Sequence, residues 1–165
     1  MDVNEYNTAV KTHSHNLYRY ILKMLRDGDE TNDIVQEAYI KLWEHKDTVD
    51  PLKAKAWLFT TAYRIMLNKI KRDKKTESME FENFEEPYTS NNRFELKQLI
   101  DNGLESLPEL QRSIILLRDL EGYDYKEIGQ ILNLNESQVK VYLFRARKKL
   151  KDVLKNSLTY HENNW

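Results

Sequence analysis

The chain has 165 residues, of which 32% are charged, yet its formal net charge is only −1. It contains no cysteine, which excludes disulfides and thiolate metal sites and fits a reducing compartment. No apolar run approaches the roughly 20 residues that a membrane span needs, and the first residues lack a signal-peptide core. We therefore expect a cytoplasmic protein without a membrane span, in which any nucleic-acid surface must come from segregated charge.

The first half of the sequence has the apolar spacing of helices. Stripes of apolar residues run through 6–25, 35–42 and 57–70, and the polar segment 27–32 interrupts the first two. The pair Asp50-Pro51 has the pattern of a helix cap followed by proline at the first helical position, although a loop would have the same pattern.

Charge is segregated within this half. Residues 27–50 contain eight Asp or Glu and two Lys, a balance of −6, whereas residues 53–75 contain eight Lys or Arg and one Asp, a balance of +7. Cations interleaved with exposed rings are typical of proteins that bind single-stranded nucleic acid. Trp57 lies on the apolar stripe and is expected in the core. Phe59 and Tyr63 lie off the stripe, and the sequence leaves stacking and burial open for them.

The composition changes in the middle of the chain. Residues 76–92 contain five Glu, no Lys or Arg and one Pro, which predicts a linker. Helical spacing returns at 94–104, and Pro108 is expected to open a further helix that stops at Gly122. Because no strand alternation is present, we expect an all-α fold of two small helical domains joined by a flexible acidic linker. The predicted boundaries are 1–75, 76–93 and 94–160.

The sequence from Asp124 onward predicts a helix-turn-helix. Asp124 and Glu127 have the spacing of a capping box, and Asn135 with Gln138 repeats that pattern after a short polar turn. Gly129 stands where the first helix must approach its partner closely. The second helix of such a pair can enter the major groove of DNA.

This second helix is basic. Residues 138–155 contain seven Lys or Arg and one Asp, a balance of +6. Contacts to phosphates need such charges. A small packing unit with a solvated basic helix would have the same pattern, so this segment alone leaves both interpretations open.

Three segments, taken together, resemble one protein family. They are "DIVQEAYIKLWEH" at 33–45, "AWLFTTAYRIMLNKIKR" at 56–72 and the block from "LPELQRSIILLRDLEGYDYKEIG" to "KKL" at 107–150. They are similar, in the same order, to the extracytoplasmic-function sigma factors of bacterial RNA polymerase. The resemblance spans nearly the whole chain.

The resemblance implies that the N-terminal half is a region-two domain. Its acidic helix would dock on the clamp helices of the large polymerase subunit through Asp33, Gln36, Glu37, Tyr39 and Trp43. The loop 48–55 would capture an extruded base of the minus-ten element, and the basic helix would follow the non-template strand. The residues implied for this DNA contact are Lys53, Lys55, Phe59, Tyr63, Arg64, Asn68, Lys69, Lys71 and Arg72.

The C-terminal half would be a region-four domain that reads the minus-thirty-five element and contacts the polymerase flap. The residues implied for its DNA contact are Ser137, Lys140, Val141, Tyr142, Phe144, Arg145, Arg147 and Lys148. Val141-Tyr142 departs from the Ser-Arg pair common in the family, and Val141 offers an apolar contact for a thymine methyl group. The acidic linker would thread into the polymerase channel, although a merely solvated tether fits its sequence equally well.

The family resemblance also implies a monomer that uses no cofactor or metal, together with an anti-sigma partner. An enzyme is disfavoured because the four histidines, His13, His15, His45 and His161, lack the spacing of metal ligands. No glycine-rich phosphate loop or nucleophile motif is present either. The remaining alternative is a conventional dimeric regulator with the same helix-turn-helix, against which the basic, aromatic segment 53–75 argues.

Overall fold

The computed structural model describes residues 1–76 and 92–163, and the described part is entirely helical apart from turns, which confirms the all-α prediction. The predicted acidic linker lies, over residues 77–91, outside the described residues. The described residues form seven α-helices, with a 3-10 turn before α3 and a π-helical turn after α5; within each of the two described ranges, short turns connect the helices. In chain order they are α1 Val3–Leu25, α2 Gly28–Glu44, the 3-10 turn Pro51–Lys53, α3 Ala54–Thr76, α4 Asn92–Glu105, α5 Glu109–Ile115, the π-helical turn Leu116–Leu120, α6 Tyr125–Leu132 and α7 Glu136–Asn163.

The interruption that the sequence predicts between the first two helices is present but short: it falls at Arg26 and Asp27, and residues 28–32 already belong to α2. The Asp27 carboxylate accepts hydrogen bonds from the backbone N–H groups of Asp29 and Glu30, at 3.0 and 3.1 Å. Asp29 and Glu30 also place negative charge in the first turn, where the helix dipole favours it. The chain therefore turns within two residues, helped by the left-handed conformation of Arg26 at φ 56°.

The cap predicted at Asp50 is present. Its carboxylate accepts from the backbone N–H of Leu52 at 3.0 Å, and Pro51 occupies the first position of the 3-10 turn. This turn runs directly into α3 and fixes the point where the basic helix begins.

One apolar core extends through both halves of the molecule. Helices α1, α2 and α3 pack together, and α5, α6 and α7 form a second group that packs against α1 and α3. The Phe59 ring lies 5.5 Å from the ring of Tyr20 on α1 and 5.5 Å from that of Tyr123, which precedes α6. The two halves that the sequence separates are therefore in contact. Fully buried side chains include Leu17, Tyr20, Ile21, Ile34, Leu42, Leu58, Phe59, Met66, Leu107, Ile114, Leu117 and Ile128.

Candidate nucleic-acid interface

The helix-turn-helix begins at α6 with half of the predicted capping box. The Asp124 carboxylate accepts from the backbone N–H of Glu127 at 2.7 Å. The Glu127 carboxylate does not complete the box, because it pairs with Lys55 of α3 at 2.7 Å. A residue expected to act within its own helix thus binds the other half of the chain.

The turn between α6 and α7 depends on Gly129. A Cβ atom at this position would lie 2.4 Å from the backbone oxygen of Leu134, closer than real Cβ atoms approach. Asn133 ends α6 in the left-handed conformation, at φ 57°, and the chain then reverses beside the glycine. Gly129 therefore sets how closely the turn folds against α6, as the sequence predicts.

Helix α7 begins with a complete reciprocal cap. The backbone N–H of Asn135 donates to the Gln138 side chain at 3.0 Å, and the backbone N–H of Gln138 donates to the Asn135 side chain at 2.8 Å. These bonds satisfy two backbone donors at the helix start and fix its first turn.

The two faces of α7 divide as its sequence predicts. Val139, Leu143 and Ala146 are buried against the core. Val141 is 46% exposed and Phe144 is 70% exposed. Large apolar side chains that lie close together and are this exposed are typical of a binding surface. Tyr142 is half-buried against the core, so it is less available than its neighbours. The other predicted contacts on this helix are exposed: Ser137, Lys140, Arg145, Arg147 and Lys148.

A cationic cleft borders this face, between α7 and the start of α6. Its volume is about 530 Å³, and Tyr125, Leu143 and Phe144 line it together with the cations Lys140, Arg147, Lys148 and Lys151. Hydrogen bonds to Asp119, whose carboxylate receives the Arg147 Nε at 3.1 Å, raise the pKa of Arg147. The guanidinium is thereby held in one orientation beside the recognition face.

Helix α3 presents a second exposed polar stripe. Arg64, Asn68 and Lys71 are exposed and follow one another at helical spacing, and Lys53 and Arg72 are exposed as well. Trp57 lies on the same stripe, half-buried against the core, with its ring 5.6 Å from that of His45.

Trp57 packs against the core, as its place on the apolar stripe predicts, but its ring also borders the polar stripe. A spacing of seven from Trp57 to Arg64, and of eleven to Asn68, puts the three residues on one helical face. That relation is visible in the sequence and would have identified the tryptophan as a candidate for stacking on a base.

Phe59 and Tyr63 do not form a stacking surface in this structure. Phe59 is fully buried and Tyr63 is 8% exposed. Burial raises the pKa of Tyr63. Their positions off the main apolar stripe leave exposure and burial open, and the structure decides for burial because the C-terminal half supplies a second apolar surface on that side of α3.

Two predicted cations of α3 are engaged in ion pairs. Lys55 pairs with Glu127 and also lies 4.3 Å from the centroid of the Tyr123 ring. Burial raises the pKa of Tyr123 to about 12, so this ring remains a neutral phenol beneath the ammonium group. Lys69 lies 3.7 Å from Glu30 on α2.

The acidic helix α2 has an exposed outer face. Asp33, Gln36 and Glu37 are exposed. Ile40, about one turn further on, is 57% exposed, and Trp43, nearly two turns further on, is 42% exposed. The remaining candidate on this helix, Tyr39, is half-buried, and burial raises its pKa. The face therefore combines an exposed apolar patch with a rim of polar and acidic residues, an arrangement that marks protein-binding surfaces.

Neither a metal site nor a membrane span is found in the parts of the chain that the structure describes. Residues 1–76 and 92–163 contain no group of three or more His, Asp or Glu placed to hold a metal ion. Every helix within them is too short or too polar to cross a bilayer.

Each half of the chain matches the model of a known protein family. The model of Sigma-70 region 2 matches residues 9–76, and the model of Sigma-70, region 4 matches residues 97–150. The two models follow one another in the order that the sequence analysis proposed.

Individual relatives cover almost the entire chain. The ECF RNA polymerase sigma-E factor of Escherichia coli is 30% identical over 166 aligned residues, covering 89% of this chain and 85% of the relative. The sigma factor SigM of Bacillus subtilis is 28% identical, covering 83% of this chain and 87% of the relative.

Solved structures share the fold. The sigma factor RpoE of Bartonella quintana, determined with the anti-sigma factor NepR, matches 93% of this chain with a TM-score of 0.76 and 22% identity. CnrH, determined with the cytosolic domain of CnrY, matches 92% with a TM-score of 0.71. The chain belongs to the extracytoplasmic-function sigma factors, non-catalytic proteins that bind RNA polymerase and direct promoter-specific transcription initiation.

Proposed function

We propose that α7 reads the minus-thirty-five element of the promoter in the major groove. The observation that carries this assignment is the exposed face at the start of α7, where Val141 and Phe144 stand unpartnered beside Lys140 and Arg145. The cations hold phosphates or guanine edges, and the apolar side chains suit thymine methyl groups. The cleft beside Tyr125 receives the adjacent phosphates.

The N-terminal half recognises the minus-ten element through α3 and the loop before it. Arg64, Asn68, Lys71 and Trp57 form one stripe that suits a separated strand, with a ring for stacking and cations for phosphates. Lys53 and the rest of the loop 48–55 lie at the start of this stripe, where an extruded base is to be captured. Arg72, which follows Lys71, extends the stripe toward the end of the helix.

The outer face of α2 docks on the clamp helices of the large polymerase subunit, and the region-four half contacts the flap. Asp33, Gln36 and Glu37 supply charge, and Trp43 supplies apolar area. Changing Asp33 and Glu37 to lysine reverses this charge and is expected to weaken association with core polymerase in a pull-down. An unchanged affinity would remove α2 from the interface.

The protein acts in the cytoplasm as a monomer held inactive by an anti-sigma factor. The similarity to RpoE and CnrH, each determined with an anti-sigma partner, supports this regulation. Co-expression of candidate host proteins with a reporter promoter tests the regulation, because an anti-sigma factor abolishes the reporter signal. Failure of every candidate in a complete host library would contradict it.

Reconstituted transcription tests the central assignment. With core polymerase, the wild-type protein is expected to give promoter-specific RNA, and Arg145→Ala is expected to lower duplex binding about 5- to 150-fold, the range for loss of one good base contact. Lys97→Ala removes an exposed cation of α4 in the same half and serves as the control.

Two results would contradict the assignment. If Arg145→Ala and Lys97→Ala behave alike, α7 is not the reading helix. If the free protein forms a stable dimer that binds a duplex operator, and gives no RNA with core polymerase, the molecule is a conventional regulator.

A further inference from the structure

A carboxylate lies beside the cationic cleft of α7. Asp119, on the π-helical turn, accepts a hydrogen bond from the Arg147 Nε at 3.1 Å and a second one from a terminal nitrogen of the same guanidinium. The two residues are 28 positions apart, so the local sequence of neither element predicts the pair. An acid next to a surface proposed to bind phosphates requires a physical reason, because like charges repel.

The pair does not serve to neutralise a buried charge. The side chain of Arg147 is 49% exposed and that of Asp119 is 44% exposed. An ion pair this exposed contributes little to stability, because water screens it and both side chains lose rotamer freedom. Among the described residues, the other three cations that line the cleft, Lys140, Lys148 and Lys151, have no ion pair. The fold therefore holds one cation of this cleft in place and leaves its neighbours unpaired.

The π-helical turn brings Asp119 to this position. The backbone N–H of Glu121 donates to the Leu116 carbonyl at 3.0 Å, five residues back, which widens the last turn after α5. Leu116 and Leu117 stay buried in the core, whereas Asp119 is exposed. Gly122 then ends the turn at φ 74°, a conformation that residues with a side chain rarely adopt. Turns of this kind are frequent at functional sites.

The preceding side chain of the same turn supports the opposite wall of the cleft. The Arg118 Nη1 donates to the Tyr123 carbonyl at 3.0 Å, and the guanidinium carbon lies 4.8 Å from the centroid of the Tyr125 ring. The turn thus contacts both walls of the cleft. Arg118 contacts the ring of α6, and Asp119 contacts the guanidinium of α7.

The pairing leaves part of the guanidinium available for DNA. Arginine has five N–H donors in one rigid plane, and Asp119 accepts from the Nε and from one terminal nitrogen. The donors of the other terminal nitrogen are not used by this pair. An arginine that is already held in one orientation loses less rotamer freedom when it binds a phosphate.

We propose that Asp119 is a positioning residue for DNA recognition by α7. It does not bind DNA, and it holds Arg147 in the orientation in which the guanidinium binds a phosphate beside the recognition face. This proposal rests on the function proposed above for α7. It assigns a carboxylate a favourable role at an anion-binding surface, so it predicts the opposite sign from simple charge repulsion.

A double-mutant cycle at Asp119 and Arg147 tests the proposal. The variants are Asp119→Ala, Arg147→Ala and the double variant, all in the full chain. The readouts are the affinity for a mixed-sequence duplex 20-mer by fluorescence anisotropy, its salt slope and the midpoint of urea unfolding. A mixed sequence suffices because phosphate contacts do not depend on base sequence. Asp152→Ala is the matched control, since it removes the same charge from an exposed position of α7.

Asp119→Ala is expected to bind the duplex about fivefold more weakly, within the limit of about 30-fold set by the rotamer entropy of arginine. Its salt slope is expected to fall by about 0.9, the value of one phosphate contact, although no cation has been removed. In the Arg147→Ala background, Asp119→Ala is expected to weaken binding no further. Asp152→Ala is expected to bind slightly tighter, and the unfolding midpoints are expected to stay close to that of the wild type.

Tighter or unchanged binding by Asp119→Ala would overturn the proposal, because Asp119 would then only repel phosphates. Equal weakening with and without Arg147 would also overturn it, since the effect would not pass through the guanidinium. If Asp119→Ala does not fold, Asp119→Asn carries the same test, because its single acceptor oxygen cannot hold both donors. Weaker duplex binding by Arg145→Ala reports separately on the proposed function, so the two failures are distinguishable.

Discussion

Helices α3 and α7 have similar compositions but different availability. Both are basic, and both carry large rings among their cations. The recognition face of α7 is open, with Phe144 70% exposed, whereas the Phe59 side of α3 is covered by the C-terminal half and Lys55 is paired there with Glu127. Tertiary contacts, and not local composition, decide which basic surface is free to bind DNA.

The largest expected effect is a loss of stability, and it distinguishes the roles of two aromatic residues of α3, Phe59 and Trp57. Phe59→Ala removes a fully buried ring that contacts Tyr20 and Tyr123, so it is expected to lower the free energy of unfolding by about 3–5 kcal/mol. Trp57→Ala is expected to cost less stability but to weaken single-strand binding by about 1–3 kcal/mol through lost stacking. Urea unfolding and anisotropy measure the two quantities. The reverse pattern would mean that Phe59, and not Trp57, is the stacking residue.

A smaller effect isolates the geometry of the helix-turn-helix. Gly129→Ala forces a Cβ atom against the Leu134 carbonyl and is expected to destabilise the protein by about 1–3 kcal/mol, with a matching loss of duplex binding. Gly28→Ala is the control, since its Cβ would lie at an ordinary 3.6 Å from the Tyr18 hydroxyl. Equal stability of the two variants by urea unfolding would show that the turn is not closely constrained.

The smallest expected effect is a change in the salt dependence of binding, and it distinguishes the single-stranded DNA bound by α3 from the duplex DNA bound by α7. Replacing Arg64 and Lys71 with alanine is expected to reduce the salt slope of single-strand binding by about 1.4, which is 0.7 for each lost phosphate contact. Replacing Arg147 and Lys148 should reduce the slope of duplex binding by about 1.8 instead. Anisotropy titrations between 50 and 200 mM salt measure both slopes. If each pair of substitutions changes both salt slopes equally, the assignment of single-strand binding to α3 and of duplex binding to α7 is wrong.

Much of the fold follows from local sequence. Apolar periodicity and capping residues predict the helices, and the cap formed by Asn135 with Gln138 is present as its spacing indicates. The predicted interruption at 27–32 is shorter in the structure than in the sequence pattern, because its acidic residues suit a helix N-terminus capped by Asp27.

The candidate site is less predictable where long-range contacts determine it. Glu127 has the spacing of a capping residue, yet it binds Lys55, which is 72 residues away in the chain. The burial of Phe59 and Tyr63 likewise depends on residues after the linker. Periodicity within α3 cannot reveal a second packing partner, whereas it correctly places Trp57 against the core, and the spacing to Arg64 shows that its ring also borders the polar stripe.

A reversible covalent cross-link between the two halves tests the account most directly. Promoter elements centred about 25 base pairs apart are separated by roughly 85 Å of B-DNA, at 3.4 Å per base pair, so the two halves must separate before α3 and α7 engage one promoter. Lys23→Cys with Asp101→Cys replaces a cross-half ion pair whose charged atoms lie 3.0 Å apart, and no natural cysteine competes for the reagent. After linkage with a short disulfide-containing bismaleimide, the protein is combined with core polymerase on a promoter template, and each single-cysteine variant serves as a control. The account predicts promoter-specific RNA from both controls, none from the linked protein, and recovery after reduction of the linker. Full-level RNA from the linked protein would contradict it.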